Sequence, residues 1–354
     1  MFNLSNAQIG IELLDFYLPK TRYSIEEYMR LPKVNLTAHN LTTVWNWAAE
    51  PTALLRFFET EAAALSGCEA TLSEEEIAQF KTRTGTGHVY CAMDESCSDM
   101  AVTVARRIIA RRTGGTGAID GLICFHSTLD EEPNVSVSGR LQHELGLKGV
   151  SPFAIGQKSG NAGLMALKAA CHLMLSEEEL SSFLLVGAEK TIPPYPRLFA
   201  KTTMISDGAC AMIVNRQSER RRILGLELVD FSSEWFYGAQ NSRPETKIER
   251  IDELFAAKAA PLIEGVCSEM NLGWQDVALL LIPNFNISAA RNLSMRTKVP
   301  WEKVWISGDG YALNSDLVRN LATALEGGRV KPGDIIMALS LGLDFSIGCM
   351  VLQV

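Results

Sequence analysis

The stretch SPFAIGQKSGNAGLMALKAA, residues 151–170, reads as an apolar strand that turns sharply into a helix, with Ser159 and Gly160 at the turn. Many acyl-transfer enzymes hold their nucleophile at such a turn. A serine hydroxyl without a base is a poor nucleophile, and general-base help is worth about 10²–10⁴ in rate. The 5 histidines are His39, His88, His126, His143 and His172. His143 in LQHELG and His172 in AACHLM read as helix residues on the surface or in the core. His126 ends the apolar strand GLICFHS, and strand ends point toward the site in open α/β sheets, so it is the candidate replacement base. Lys158 adjoins Ser159, yet neighbours on a strand face opposite sides, which argues against a Ser–Lys pair.

The elements that must position this turn occur twice. The helix NAGLMALKAACHLMLS, a polar turn, the strand FLLVGAE and the strand GACAMIVNR find a counterpart later in the chain. There DLVRNLATALEGG, RVKPGD, IIMALSLG and IGCMVLQV follow in the same order, with Gly208 and Gly348 at equivalent places. A second pair is SDMAVTVARRIIARR before GAIDGLICFHS, set against PLIEGVCSEM before GWQDVALLLIPNF. Continuous apolar strands of this kind are buried on both faces, in sheets covered by helices. A duplicated α/β unit follows, with halves 1–217 and 218–354 meeting near RQSERRR. Two mixed sheets with helices between and outside them give a five-layer α-β-α-β-α sandwich. A helical insertion at about 30–80 interrupts the first half. It carries Trp45, Trp47, Phe57 and Phe58, either as a lid or partner surface or as helices packed on the core. Ser73 and Glu76 have capping-box spacing there and predict a helix start.

Bulk composition narrows the function. The 354 residues are 47% hydrophobic and 21% charged, which is ordinary for a globular protein and not for a disordered one. Lys+Arg of 33 against Asp+Glu of 41 gives a net charge of −8, a poor match to nucleic acid or an anionic membrane. Apolar runs such as DVALLLIP are too short to span a bilayer. MFNLSNAQIGIELLDFYLP has no basic leader before an apolar stretch, so no signal peptide is expected. The 8 cysteines are scattered, with no pair two residues apart. That spacing indicates neither a metal site nor a disulfide framework and points to the reducing cytoplasm.

Taken in order, several stretches resemble the β-ketoacyl-acyl-carrier-protein synthase III group of the thiolase superfamily. They are IGIELLDFYLPKTRYSIEEY, TRTGTGHVY, SDMAVTVARR, DGLICFHSTLDEEP with LQHELGL, PFAIGQKSGNAGL, SDGACAMIV, LLLIPNFN and ALEGGRVKPGDIIMALSLGLDFSIGCMVL. The resemblance spans nearly the whole chain apart from the aromatic insertion, and it implies the thiolase fold. It also implies a homodimer or a heterodimer with a related ketosynthase-like subunit. The acyl donor would be acyl-coenzyme A or an acyl carrier protein, with no bound cofactor. In that family a cysteine sits at the strand-to-helix turn, where the helix dipole favours its thiolate and backbone N–H groups form an oxyanion hole. A histidine and an asparagine from the second half stabilise the enolate.

All three positions differ here. Counted along the strand the cysteine position falls on Ser159; counted back from the helix it falls on Gly160. The histidine position carries Asn284, which donates a hydrogen bond but takes no proton at neutral pH. The asparagine position carries Tyr311, which can donate to an oxyanion. Asp316, in LNSDLVRNL, resembles an aspartate found in a branch that transfers acyl groups to oxygen or nitrogen. Lys81 and Arg83 lie where the family approaches the coenzyme, as candidate phosphopantetheine ligands. The late loop SLGLDFSIG, with Gly342, Leu343 and Asp344, is poorer in glycine than the family's oxyanion loop. The resemblance therefore implies a diverged acyltransferase of specialised, polyketide- or fatty-acid-like metabolism, moving an acyl group to a small acceptor. The alternative is a catalytically silent subunit that partners an active ketosynthase.

Overall fold

The computed structural model describes residues 1–30, 73–113, 115–128, 135–191, 197–199, 202–218, 220–230, 251–343 and 346–354. Trp45, Trp47, Phe57, Phe58 and Asp344, singled out above, lie outside the described residues.

Two sets of strands make the framework. The first is β1 (Ile9–Tyr17), β2 (Gly121–Phe125), β3 (Pro152–Ile155), β4 (Ser182–Glu189) and β5 (Gly208–Arg216). The second is β6 (Arg222–Asp230), β7 (Val277–Leu281), β8 (Val304–Trp305), β9 (Ile335–Leu341) and β10 (Ser346–Gln353). The first set runs β1-β5-β4-β2-β3 and the second β6-β10-β9-β7-β8, so each strand has its counterpart five places on. Pairing repeats as well. β2 is parallel to β3 and β4, as β7 is to β8 and β9; β5 and β10 are antiparallel to both neighbours. The sets join at Gly10 and Arg222, where a Cβ on Gly10 would stand 2.5 Å from the Arg220 carbonyl oxygen. Only glycine allows that approach.

The helices are α1 (Cys97–Ala110), α2 (Val137–Glu144), α3 (Ala162–Ser176), α4 (Ile251–Met270), α5 (Ile287–Thr297) and α6 (Asp316–Glu326). Alternation along the strands divides the core into layers. Leu184, Val186 and Ala188 of β4 face α1 and α2, whereas Phe183 and Leu185 face α3 and α6. On β9, Ile336 and Ala338 join the same central layer, and Met337, Leu339 and Leu341 face α4 and α5. Both faces of each sheet are therefore apolar, which is why the strands read as unbroken hydrophobic runs. The stack is helix, sheet, helix, sheet, helix. Gly208 opens β5, but Gly348 stands third in β10, because Ser346 and Ile347 still pair with Asp230 and Val229 of the long strand β6.

The Ser73–Glu76 capping box forms at the head of the helix Glu74–Thr84. Among the described residues no helix is long and apolar enough to cross a membrane.

Candidate functional site

β3 leads into the turn through Gln157 and Ser159, both non-glycine residues at positive φ, 59° and 41°. L-residues avoid that region, so two in three positions mark stored strain, which clusters at functional turns. The 3-10 turn Ser159–Asn161 then starts α3, 15 residues long and rich in Ala and Leu, which favour helix. Ser159 is half-buried at its head, and its Oγ accepts the Leu343 N–H at 3.0 Å. Asn161 beneath it is fully buried. Its Nδ2 donates to the Ser346 carbonyl at 2.8 Å and to Ser346 Oγ at 2.7 Å, while its Oδ1 accepts from Ser340 Oγ. This anchors the turn to the start of β10 in the second half.

Gly160 has no room for a side chain. A Cβ there would lie 2.0 Å from the Leu341 carbonyl oxygen and 2.1 Å from the Tyr311 hydroxyl. That hydroxyl is itself a donor to Leu341 O, and the Tyr311 ring is buried edge-on to Phe285 with centroids 6.4 Å apart. Of the two residues at the turn, Ser159 alone presents a nucleophilic atom. Lys158 Nζ pairs with Asp230 Oδ2 at 2.5 Å, so its ammonium does not serve Ser159.

Asn284 and Asp316 meet in a separate buried cluster at the head of α6. The Asp316 carboxylate accepts from Asn284 N (2.8 Å), Asn284 Nδ2 (3.0 Å), Ala312 N (3.2 Å), Arg319 Nη2 (2.7 Å) and Asn320 Nδ2 (3.4 Å). Asn284 Nδ2 also donates to Asn320 Oδ1 at 2.7 Å, and its Oδ1 accepts the Ser307 N–H at 2.6 Å. Both Asn284 amide donors and its acceptor thus have protein partners. The Arg319–Asp316 ion pair is enclosed, each side chain 2% exposed, and Arg319 Nη2 also donates to Gly310 O at 2.9 Å.

His126 follows β2 and extends its pairing, with its N–H on the Ile155 carbonyl at 3.2 Å. Its ring, near Gly156, lines a small cleft with Cys97, Cys124, Thr128 and Leu141. Burial lowers its pKa and favours the neutral imidazole, the form a base needs. Lys81 and Arg83 stand on the helix Glu74–Thr84 and both face carboxylates. Lys81 Nζ is 2.5 Å from Glu26 Oε1, and Arg83 grips Asp252 through Nε (3.1 Å) and Nη2 (2.8 and 2.9 Å). Burial drives the thiols of Cys124, Cys171 and Cys210 up to about 12, so none of these is a thiolate at neutral pH. No group of His, Cys, Asp and Glu that could hold a metal occurs among the described residues.

Sequence reasoning missed Glu189 and Asn314. Glu189 ends β4 fully buried, its carboxylate accepting from Ser127 N at 2.8 Å, Thr128 N at 3.3 Å, Thr128 Oγ1 at 3.2 Å and Asn314 Nδ2. Burial outweighs those donors and raises its pKa to about 7. An acid closing the unbroken apolar run FLLVGAE was the available signal. Arg319 and Asn320 were missed too, although they lie three and four residues after Asp316, on the same helix face.

The C-terminal part of the chain, residues 267–354, matches the family model "3-Oxoacyl-[acyl-carrier-protein (ACP)] synthase III C terminal". A β-ketoacyl-[acyl-carrier-protein] synthase III from Staphylococcus saprophyticus is 26% identical over 294 residues, covering 79% of this chain and 90% of that protein. The crystal structure of the synthase III from Aquifex aeolicus superposes with a TM-score of 0.73 at 20% identity, covering 98% of this chain and 100% of the other. The acyltransferase ChlB3 gives a TM-score of 0.73 at 19% identity, over 98% and 97% of the two chains. The layered α/β architecture is thus the thiolase-like fold along its full length. By that fold and these similarities, the chain resembles the β-ketoacyl-[acyl-carrier-protein] synthase III enzymes at about a quarter of its residues.

Proposed function

We propose that the chain is an acyl-thioester-dependent transferase in which Ser159 takes an acyl group from acyl-coenzyme A or an acyl carrier protein and passes it to a small acceptor. The observation that carries this reading is the Ser159 turn: a half-buried hydroxyl on strained backbone at the head of α3, with a second-half N–H on its Oγ. In the first step Oγ bonds to the thioester carbonyl carbon, the C–S bond breaks, and the hydroxyl proton ends on the departing thiol. The dipole at the head of α3 favours the oxyanion. The acceptor's oxygen or nitrogen then bonds to the carbonyl carbon, the bond from that carbon to Ser159 Oγ breaks, and the acceptor's proton passes to Oγ. His126, neutral and near the turn's strand, is the candidate base. Tyr311 backs the turn at Gly160, and on this reading Ser159, Asn284 and Tyr311 stand in place of the thiol, histidine and asparagine that condensation uses. The relatives are named β-ketoacyl-[acyl-carrier-protein] synthase III, a name that includes the carrier protein and supports the donor class.

The surface supports a carrier protein as donor. α5 and the turn after it expose Arg291, Met295, Arg296, Lys298 and Trp301, with the Arg291 guanidinium 5.8 Å from the Trp301 ring centroid. On a chain of net charge −8 this is a local basic and apolar patch suited to an acidic partner. Phe153, 39% exposed on the edge strand β3, supports a dimer formed along that edge. Phe153→Lys is expected to halve the mass measured by light scattering; an unchanged mass removes β3 from the interface.

Intact-protein mass after incubation with a panel of acyl thioesters, beside Ser159→Ala, tests the reading. A gain equal to the acyl group, absent from the variant, is the expected result. No adduct with any donor favours the second reading, a catalytically silent subunit of a ketosynthase pair. The Tyr311 hydroxyl against Gly160 and the internally satisfied Asn284 support that alternative.

A further inference from the structure

We propose that Glu189 is a positioning residue: it orients the Asn314 amide so that Asn314 caps α3 from the opposite half of the molecule and holds the Ser159 turn in place. As a statement about acyl transfer this rests on the reading of Ser159 above; as a statement about the turn it stands on geometry.

A helix of this length needs partners for its first N–H groups. α3 receives none from its own cap residue, because Asn161 is engaged with Ser340 and Ser346. Asn314 does the work instead. Its Oδ1 accepts the N–H of Gly163, the second residue of α3, at 3.2 Å, which is the bond an N-cap side chain makes. Asn314 belongs to the 3-10 turn Leu313–Ser315 before α6, 151 residues away. An amide can face either way, and only one orientation caps. The donor end of Asn314 meets Ser127 Oγ at 2.8 Å and the Glu189 carboxylate. A serine hydroxyl accepts or donates and imposes no direction. An anion only accepts, so Glu189 keeps Nδ2 on its side and Oδ1 on Gly163. Three more donors, Ser127 N, Thr128 N and Thr128 Oγ1, converge on the same carboxylate, tying the segment after His126 to both helix heads.

Glutamine at 189 cannot replace it, because its NH₂ would face one of these donors. The other titratable groups around the carboxylate are Cys210 on β5, Lys190 next in the chain and His126 on the adjoining segment. Burial holds Cys210 at about 12 and lowers His126, and the Lys190 ammonium donates to the Glu95 carbonyl at 2.8 Å.

The test is amide hydrogen exchange and the pH titration of the Gly163 N–H by NMR, in the full chain, for wild type, Glu189→Gln and Asn314→Ala. Exchange at Gly163 is expected to quicken about fivefold in both variants, the factor a lost cap is worth, with the last turns of α3 unchanged. In wild type the Gly163 shift is expected to titrate with a midpoint near that of Glu189, about 7. Unchanged Gly163 exchange in the folded variants, or a flat wild-type titration, overturns the proposal. Should Glu189→Gln fail to fold, Asn314→Ala and the wild-type titration decide alone. Failure of Ser159 to acylate in the mass experiment would remove the acyl-transfer reading and leave these readouts in force.

Discussion

A single glycine beside Ser159 sets what the turn can hold. Gly160 faces the Leu341 carbonyl at 2.0 Å and the Tyr311 hydroxyl at 2.1 Å from where its Cβ would be, and the carbonyl is backbone that cannot swing aside. Gly160→Cys is therefore expected to lose about 3 kcal/mol of stability, the upper end of the usual range for overpacking a closed site. Ser159→Cys replaces one half-buried side chain by another of similar size and is expected to fold near wild type. It should also acquire acyl groups faster, since a thiolate at a helix head is the better nucleophile. Urea unfolding separates the two variants. Equal stability would mean that the chain relaxes at the turn and that residue 160 can carry a nucleophile after all.

At the scale of elements, the head of α6 contrasts with the helix that carries Lys81. Asp316 is 1% exposed and accepts from the equally buried Arg319, so Asp316→Asn leaves an enclosed guanidinium without its counter-charge. The expected loss is about 3–5 kcal/mol in urea unfolding. Lys81 and Glu26 are 40% and 34% exposed, and Lys81→Met is expected to change stability by less than about 1 kcal/mol. A small loss in Asp316→Asn would show that water reaches the cluster. The same contrast explains what the sequence could reveal. Strands β4, β5, β9 and β10 were legible because burial on both faces leaves unbroken apolar runs. The helix Glu74–Thr84 was legible because its cap is local. The Ser159 turn was legible as a strand running into a helix through glycines. Partners remote in the chain were not. Lys81 and Arg83 read as open cations because Glu26 and Asp252 lie 55 and 169 residues away. Asn284 read as a site residue because nothing local shows that Asp316 and Asn320, 32 and 36 residues on, complete its hydrogen bonds.

Across the whole molecule the two sets of strands share a central helix layer, and polar contacts cross it where α3 and α6 begin. Glu189 is a buried titratable group in that crossing, and its ionisation links the joint to pH. Its pKa is about 7 in the folded chain against an ordinary 4.5, because burial penalises the carboxylate more than its hydrogen bonds favour it. Below 4.5 the acid is neutral whether the chain is folded or not, and burial costs nothing extra. Between 4.5 and 7 the unfolded chain releases the proton and the folded chain keeps it. Stability from this group is therefore complete below about 4.5 and lost as pH rises through 7, by at most about 3 kcal/mol. Exposed carboxylates pull the other way: Lys81 lowers the pKa of Glu26, which then loses stability as pH falls. The total profile mixes the two, so the difference between wild type and Glu189→Gln isolates the buried acid. Urea unfolding at pH 4.5, 5.5, 6.5 and 7.5 is expected to show wild type losing ground to the variant with each step up to 7 and none beyond. A constant difference would mean that Glu189 titrates alike in the folded and unfolded chain, and that water reaches the joint between the halves.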